Sequence, residues 1–181
     1  MPIGFSVSTN NFDKTFVEGG GYNVVYDKEH APLDKCTKMH IACLKNSKII
    51  AGIKVTKGTA HDSLIFKDLV ISVVRNGFNI KNLLADAGYS SKDNYAFCYN
   101  LNIENIFIDF KKRASLREQG RTPWMRQLKL FKKNLELWHE SYRFRVIVEG
   151  IFSAIKKKQI NYLRARQEIS RENELLLKSL V

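Results

Sequence analysis

The chain has 181 residues, 44% of them hydrophobic, enough for one domain with a real core. Its 30 Lys and Arg outnumber 18 Asp and Glu, for a net charge of +12 and a pI near 9.7, which points to a polyanionic partner. No apolar run approaches the ~18 residues of a transmembrane helix and no signal peptide opens the chain, so a cytoplasmic protein with no membrane partner is expected. Cys36, Cys43 and Cys98 form no CxxC pair, which argues for reduced thiols over a disulfide framework or zinc site. His30, His40, His61 and His139 lack metal-site spacing.

In chain order, "IGFSVST" (3–9) predicts a short strand, and the polar, glycine-rich stretch 13–35 a long loop or hairpin excursion. "KMHIACL" (38–44) and "KIIAGIKVT" (48–56) predict two strands joined by a turn at Lys45-Asn46-Ser47; the second alternates at Ile49, Ala51, Ile53 and Val55. "HDSLIFKDLVISVVRNG" (61–77) predicts a helix capped by Asp62 or Ser63 and ended by Gly77. "NLLAD" (82–86) reads as a short buried strand ending in an acid. Residues 90–100 read as a helix with Ser90 and Asp93 in capping-box spacing, and "ENIFIDF" (104–110) as another strand. Thr122-Pro123 is a helix start, followed by an apolar stripe at Trp124, Leu128, Phe131, Leu135 and Trp138. A last helix is expected over 170–180. The order β-β-β-α-β-α-β-α-α predicts an α/β domain over 1–181, a mixed sheet covered by helices.

Residues 142–158, "YRFRVIVEGIFSAIKKK", predict a continuous helix with two unlike faces. Phe144, Ile147, Val148, Ile151 and Ile155 gather on one face; Tyr142, Arg145, Glu149 and Lys156 fall within roughly 60° of each other on the other. Helix geometry alone allows an ordinary solvated face with an Arg145–Glu149 ion pair. Charge distribution shifts the balance. Residues 111–166 hold 16 basic and 4 acidic side chains, so this block carries the whole excess. Trp124, Trp138, Tyr142 and Tyr162 are interleaved with the cations, as suits a nucleic-acid partner.

Asp86 ends a short apolar strand before Ala87-Gly88-Tyr89, where α/β folds place their chemistry; capping the next helix is its plainer role. A second carboxylate brought to that strand end would make a site for hard divalent cations. Glu149 is the candidate. Arg145 and Lys156 would then hold phosphates, and Tyr142 would stack on a base or hold a backbone oxygen.

The spacing Tyr142-x2-Arg145-x3-Glu149-x6-Lys156 resembles the signature helix of DDE-type insertion-sequence transposases. "LLADAGYSS" resembles that family's second-aspartate segment, "KMHIAC…IIAGIKVTKGTAHDS" the strands and helix start before it, and "LRARQEISRENELLLKSLV" its C-terminal tail. The resemblance implies an RNase H-like mixed sheet of about five strands flanked by helices. It implies Asp86 and Glu149 as catalytic and metal-binding residues in a two-metal Mg²⁺ (or Mn²⁺) site. It also implies DNA contacts by Tyr142, Arg145, Lys156, Lys157, Lys112 and Arg113. The partners it implies are transposon ends and target DNA, with a homodimer as the assembly and the nucleoid as the place of action.

One departure matters. The family's first strand ends in an aspartate within a phrase like Asp-Ser-Thr-Gly-Phe. Aligning "FSVSTNNF" on its two phenylalanines puts Ser8 there, and aligning it on Ser-Thr puts Val7 there; Asp13 is the nearest acid. The family's usual N-terminal DNA-binding region is also expected to be absent ahead of this strand. The expectation is therefore a degenerate catalytic domain, inactive or nearly so. The other readings are a non-catalytic DNA-binding remnant or regulator of transposition, and a nuclease of the same fold acting on RNA or branched DNA.

Overall fold

The computed structural model describes residues 14–23, 36–110, 122–158, 163–165 and 167–180, with 14–23 and 36 as backbone. The predicted strand at 3–9 lies outside them, as do Ser8, Asp13, Lys112 and Arg113.

Strands β1 (Lys14–Asn23), β2 (Cys36–Leu44) and β3 (Ile50–Lys57) precede helix α1 (Asp62–Arg75). Strand β4 (Asn82–Ala85), a 3₁₀ turn (Ala87–Tyr89), helix α2 (Lys92–Asn100) and strand β5 (Asn105–Ile108) follow. The rest is helical: α3 (Pro123–Lys133), α4 (Leu135–Tyr142), a 3₁₀ turn (Arg143–Arg145), α5 (Val146–Lys158) and α6 (Glu168–Lys178).

β2 and β3 pair antiparallel, and β4 and β5 pair parallel. The backbone of β1 joins these pairs, antiparallel to β2 and parallel to β4, in the order β3-β2-β1-β4-β5. Residues 14–23 are thus a strand within the stretch 13–35 that predicts a long loop or hairpin excursion; 13 and 24–35 lie outside the described residues. A Gly-Gly-Gly run has no period-2 pattern and poor strand propensity, so only pairing on both sides makes it a strand.

Four helix expectations also change. The N-cap of α1 is His61, not Asp62 or Ser63, and the N-cap of α2 is Ser91, whose hydroxyl accepts from Asn94 N–H at 3.1 Å, not Ser90. The aromatic stripe from Trp124 to Trp138 is split at Asn134, which ends α3 and caps α4 by accepting from Leu137 N–H at 3.1 Å. The helix expected over 142–158 breaks at the 3₁₀ turn, just before the β-branched pair Val146-Ile147, residues that crowd the preceding helical turn. The remaining cues hold: Thr122 caps α3, and Gly77 (φ 85°) follows the end of α1.

Alternation along the strands builds two cores. Ala42, Leu44, Leu83, Ala85, Ile106 and Ile108 face one way, against α1, α2, α3 and α4. Met39, Ile41, Cys43 and Leu84 face the other, against α5 and α6. Both faces are covered, so the ends of the parallel strands are where polar chemistry can meet solvent.

Candidate functional site at the strand ends

Register sets the geometry. Val17 of β1, Ala85 of β4 and Ile108 of β5 lie side by side at the C-terminal ends of the parallel strands. The next residues are Glu18, Asp86 and Asp109, three acidic positions level with one another along the backbone. Asp109 N–H still bonds to Ala85 O at 3.2 Å, which holds β5 to β4 up to this edge. Glu18 and Asp109 were missed in the sequence. Glu18 sat in the supposed loop, and Asp109 was read only as part of a strand, although its place after an apolar run is the signal that picked out Asp86.

Asp86 does cap the turn that follows: its Oδ1 accepts from Ala87 N–H at 2.8 Å. The same oxygen accepts from the Tyr142 hydroxyl at 3.2 Å, 56 residues away in sequence. Burial first, then the negative charge of Asp86, push the Tyr142 phenol well above its ordinary range. It therefore stays protonated and serves as a donor.

From Tyr142 the contacts run outward. In a 3₁₀ turn, residues three apart eclipse one another. The turn at 143–145 thus places the Arg145 guanidinium over the Tyr142 ring, 5.7 Å from its centroid. Arg145 also pairs with Glu149 one turn into α5. Asp86, Tyr142, Arg145 and Glu149 therefore form one connected set, assembled through a 3₁₀ turn where the sequence predicts regular helix. Lys156 lies on α5 two turns beyond Glu149, about 20° round the axis, and is exposed, as is Lys157.

A second network fixes the Asp86 turn from behind. His40, fully buried on β2, shares a 2.7 Å hydrogen bond between Nδ1 and the Tyr89 hydroxyl and a 3.1 Å bond between Nε2 and the Thr56 hydroxyl. Burial holds His40 neutral, with its pKa lowered to about 4. Lys38 pairs with Asp62 at the start of α1. Asp62 in turn abuts Gly88, where an added Cβ would come within 2.7 Å of Asp62 Oδ2. The turn after Asp86 is held from both β2 and α1.

The donor set decides what can be held here. A two-metal site needs carboxylates that converge and bridge. Asp86 is engaged by two donors and Glu149 by Arg145, and among the described residues no group of three His, Cys, Asp or Glu side chains converges on a metal-binding point. The described side chains do not fit a two-metal centre. Their arrangement can present cations and a phenol to a polyanion beside two carboxylates.

None of the described helices is long and apolar enough to cross a membrane. Searches among curated proteins and among solved structures give no match. Residues 12–181 match the family model described as Transposase DDE domain; Ser8 falls before that span and Asp13 within it. With nearly the whole chain matched, and the strand-end aspartate joined to the Tyr-Arg-Glu turn, the protein belongs to the transposase DDE domain family.

Proposed function

We propose that this domain binds DNA at the α4–α5 junction as a transposase does, with transposon ends and target DNA as substrates. We further propose that strand cleavage and strand transfer, the polynucleotidyl transfer of an RNase H-like catalytic core, are weak or lost in it. The observation that carries the reading is the Tyr142–Asp86 hydrogen bond, which ties the basic helical block to the ends of the parallel strands. Arg145 and Lys156 are the phosphate contacts, with Lys157, Lys112 and Arg113 adding charge around them. Pairing two transposon ends would take a homodimer, and a DNA substrate would place the protein at the nucleoid.

A Mg²⁺ or Mn²⁺ ion would supply Lewis-acid activation of the phosphodiester oxygens, but Asp86 and Glu149, the carboxylates that would hold it, are engaged by Ala87, Tyr142 and Arg145 and could hold one ion only after exchanging those donors. Tyr142 orients Asp86. Arg145 has to exchange Glu149 for a phosphate before Glu149 is free for any other partner. The third carboxylate is the weak point: Ser8 is a neutral ligand, whereas Asp13 and Glu18 are acids. Nicking of supercoiled plasmid in Mg²⁺ and in Mn²⁺ tests this. Wild type is expected to nick barely above background, and Ser8→Asp to raise the rate. Robust wild-type nicking lost in Asp13→Ala or Glu18→Gln would identify that residue as the first acid and overturn the reading of weakness. Loss of DNA binding at every salt concentration would overturn the reading of the domain as a whole.

The engagement of both carboxylates favours a second reading, a non-catalytic DNA-binding regulator competing for transposon ends. A domain that binds terminal-repeat duplex and nicks in neither metal, with or without Ser8→Asp, fits that reading.

A further inference from the structure

Two cations outside any ion pair of the described residues meet on one ring. Lys45, in the turn between β2 and β3, lies with its ammonium 3.8 Å from the centroid of the Phe144 ring. The guanidinium of Arg143 lies 5.3 Å from the same centroid. The two charges are thus within roughly 10 Å of each other, about one Debye length at ~0.1 M salt. Glu149, on α5, pairs with Arg145. The ring's π face offsets part of the repulsion. A shared anion would offset the rest.

The backbone presents Lys45 there. Leu44 N–H bonds to Ile49 O at 2.9 Å and Lys48 N–H to Leu44 O at 3.0 Å, closing a tight turn with Lys48 at φ 57°. This turn projects beside the 3₁₀ turn at 143–145. Lys45 belongs to the part of the chain whose charge sums to zero, so sequence gave no reason to include it in a binding surface. Lys45 and Arg143 thus meet at Phe144, while Arg145 lies over Tyr142, whose hydroxyl bonds to Asp86.

We infer that the β2–β3 turn is part of the DNA interface, with Lys45 and Arg143 clamping one backbone phosphate over Phe144. This rests on the DNA-binding reading above and adds to it a contact that the 111–166 block lacks. The partner is the sugar-phosphate backbone of duplex DNA; ring-borne cations carry no base-reading groups of fixed register, so the contact is sequence-independent.

The test uses the full chain and a random-sequence duplex, with affinity measured across a salt series. Lys45→Gln and Arg143→Gln should each weaken binding and flatten the log–log salt slope, and the double variant should lose the one phosphate they share, roughly eightfold in affinity at about 0.1 M salt and about 0.9 in slope. Lys45→Arg should keep both, which separates lost charge from lost packing. Lys67, whose ammonium lies 6.0 Å from the Phe97 ring centroid on the α1 side, is the matched control, and Lys67→Gln should change neither quantity. If Lys45→Gln behaves like Lys67→Gln while Arg145→Gln still weakens binding, the clamp is wrong and the DNA-binding reading stands. If wild type shows no salt-dependent binding, both fall.

Discussion

The two faces of the sheet are built for different purposes. The face under α1 to α4 holds most of the aromatic mass. Phe110 alone meets Tyr95, Trp124, Phe131 and Trp138, with centroids 5.3 to 5.8 Å away, and the buried His40–Tyr89 pair lies on the same side. Among the described residues, the face under α5 and α6 is more aliphatic, a layer of Met39, Ile41, Leu84, Val148, Ile155 and Leu175 with Phe152 as its one buried ring. Tyr142 packs with the first face and Phe144 with the second, so the 3₁₀ turn between them carries the chain round the strand ends from one layer to the other. The candidate site sits on that crossing. A rigid aromatic layer sets the position of Tyr142, and a lighter layer carries the cations that meet the ligand.

The largest expected effect breaks the rigid side. Phe110→Ala should cost about 3–5 kcal/mol, toward the upper end because aromatic pairs add about 0.5–1.5 kcal/mol beyond their buried area. Phe152→Ala should cost less, since no aromatic pair is lost with it. Urea unfolding of both variants checks this; equal losses would mean that the two layers contribute alike.

Acid is the next probe of the same face. The folded pKa of His40, about 4, lies below the ordinary 6.5, so the unfolded chain takes up a proton that the fold refuses. The contribution of neutral His40 is complete above about pH 6.5 and is lost as pH falls toward about 4, up to ~3 kcal/mol. His40→Gln should be less stable at neutral pH but lose less between those limits. Identical pH slopes for the two proteins would show that His40 is not the group refusing the proton.

The mixed α/β class, the strand pair around Lys45, the Thr122 cap and the acid at the end of β4 were all legible, because each rests on local signals: alternation, caps, an apolar run ended by a carboxylate. β1 was not, because its glycines become a strand only between β2 and β4, and no local preference announces that. Nor were the breaks at Asn134 and at 143–145, since apolar spacing alone does not separate one long helix from two short ones meeting at an angle. The Tyr-Arg-Glu-Lys stripe was drawn on an ideal helix. Tyr142 and Arg145 do share a side, but through a 3₁₀ turn. Lys45 and Asp109 lie far in sequence from the residues they accompany, and no spacing within one element could have found them.

Tyr142→Phe sharpens the comparison at the crossing itself. It keeps the ring under Arg145 and removes only the hydroxyl that bonds to Asp86. Asp86 retains Ala87 N–H, so the loss should be about 1 kcal/mol of stability. The salt slope of DNA binding should not move, because no cation is lost. A changed slope would place the phenol, and not only the guanidinium, against a phosphate.

The smallest effect on stability, and the most telling one on function, is expected from Glu149→Gln. The Arg145–Glu149 pair is partly exposed, its acidic side chain 45% so, and such pairs contribute about 0–1 kcal/mol, so the melting temperature should barely change. DNA binding should respond more. In chelator, with Arg145 released, affinity should rise and the salt slope should steepen by up to about 0.9, one further phosphate contact. In Mg²⁺ two outcomes separate the readings. If the variant still binds more tightly than wild type, Glu149 acts only as the resting partner of Arg145, and the domain works as a DNA-binding module. If the gain vanishes or reverses in Mg²⁺ alone, the wild-type carboxylate is exchanging its arginine for a cation when DNA arrives, and the lighter face carries metal chemistry as well as charge.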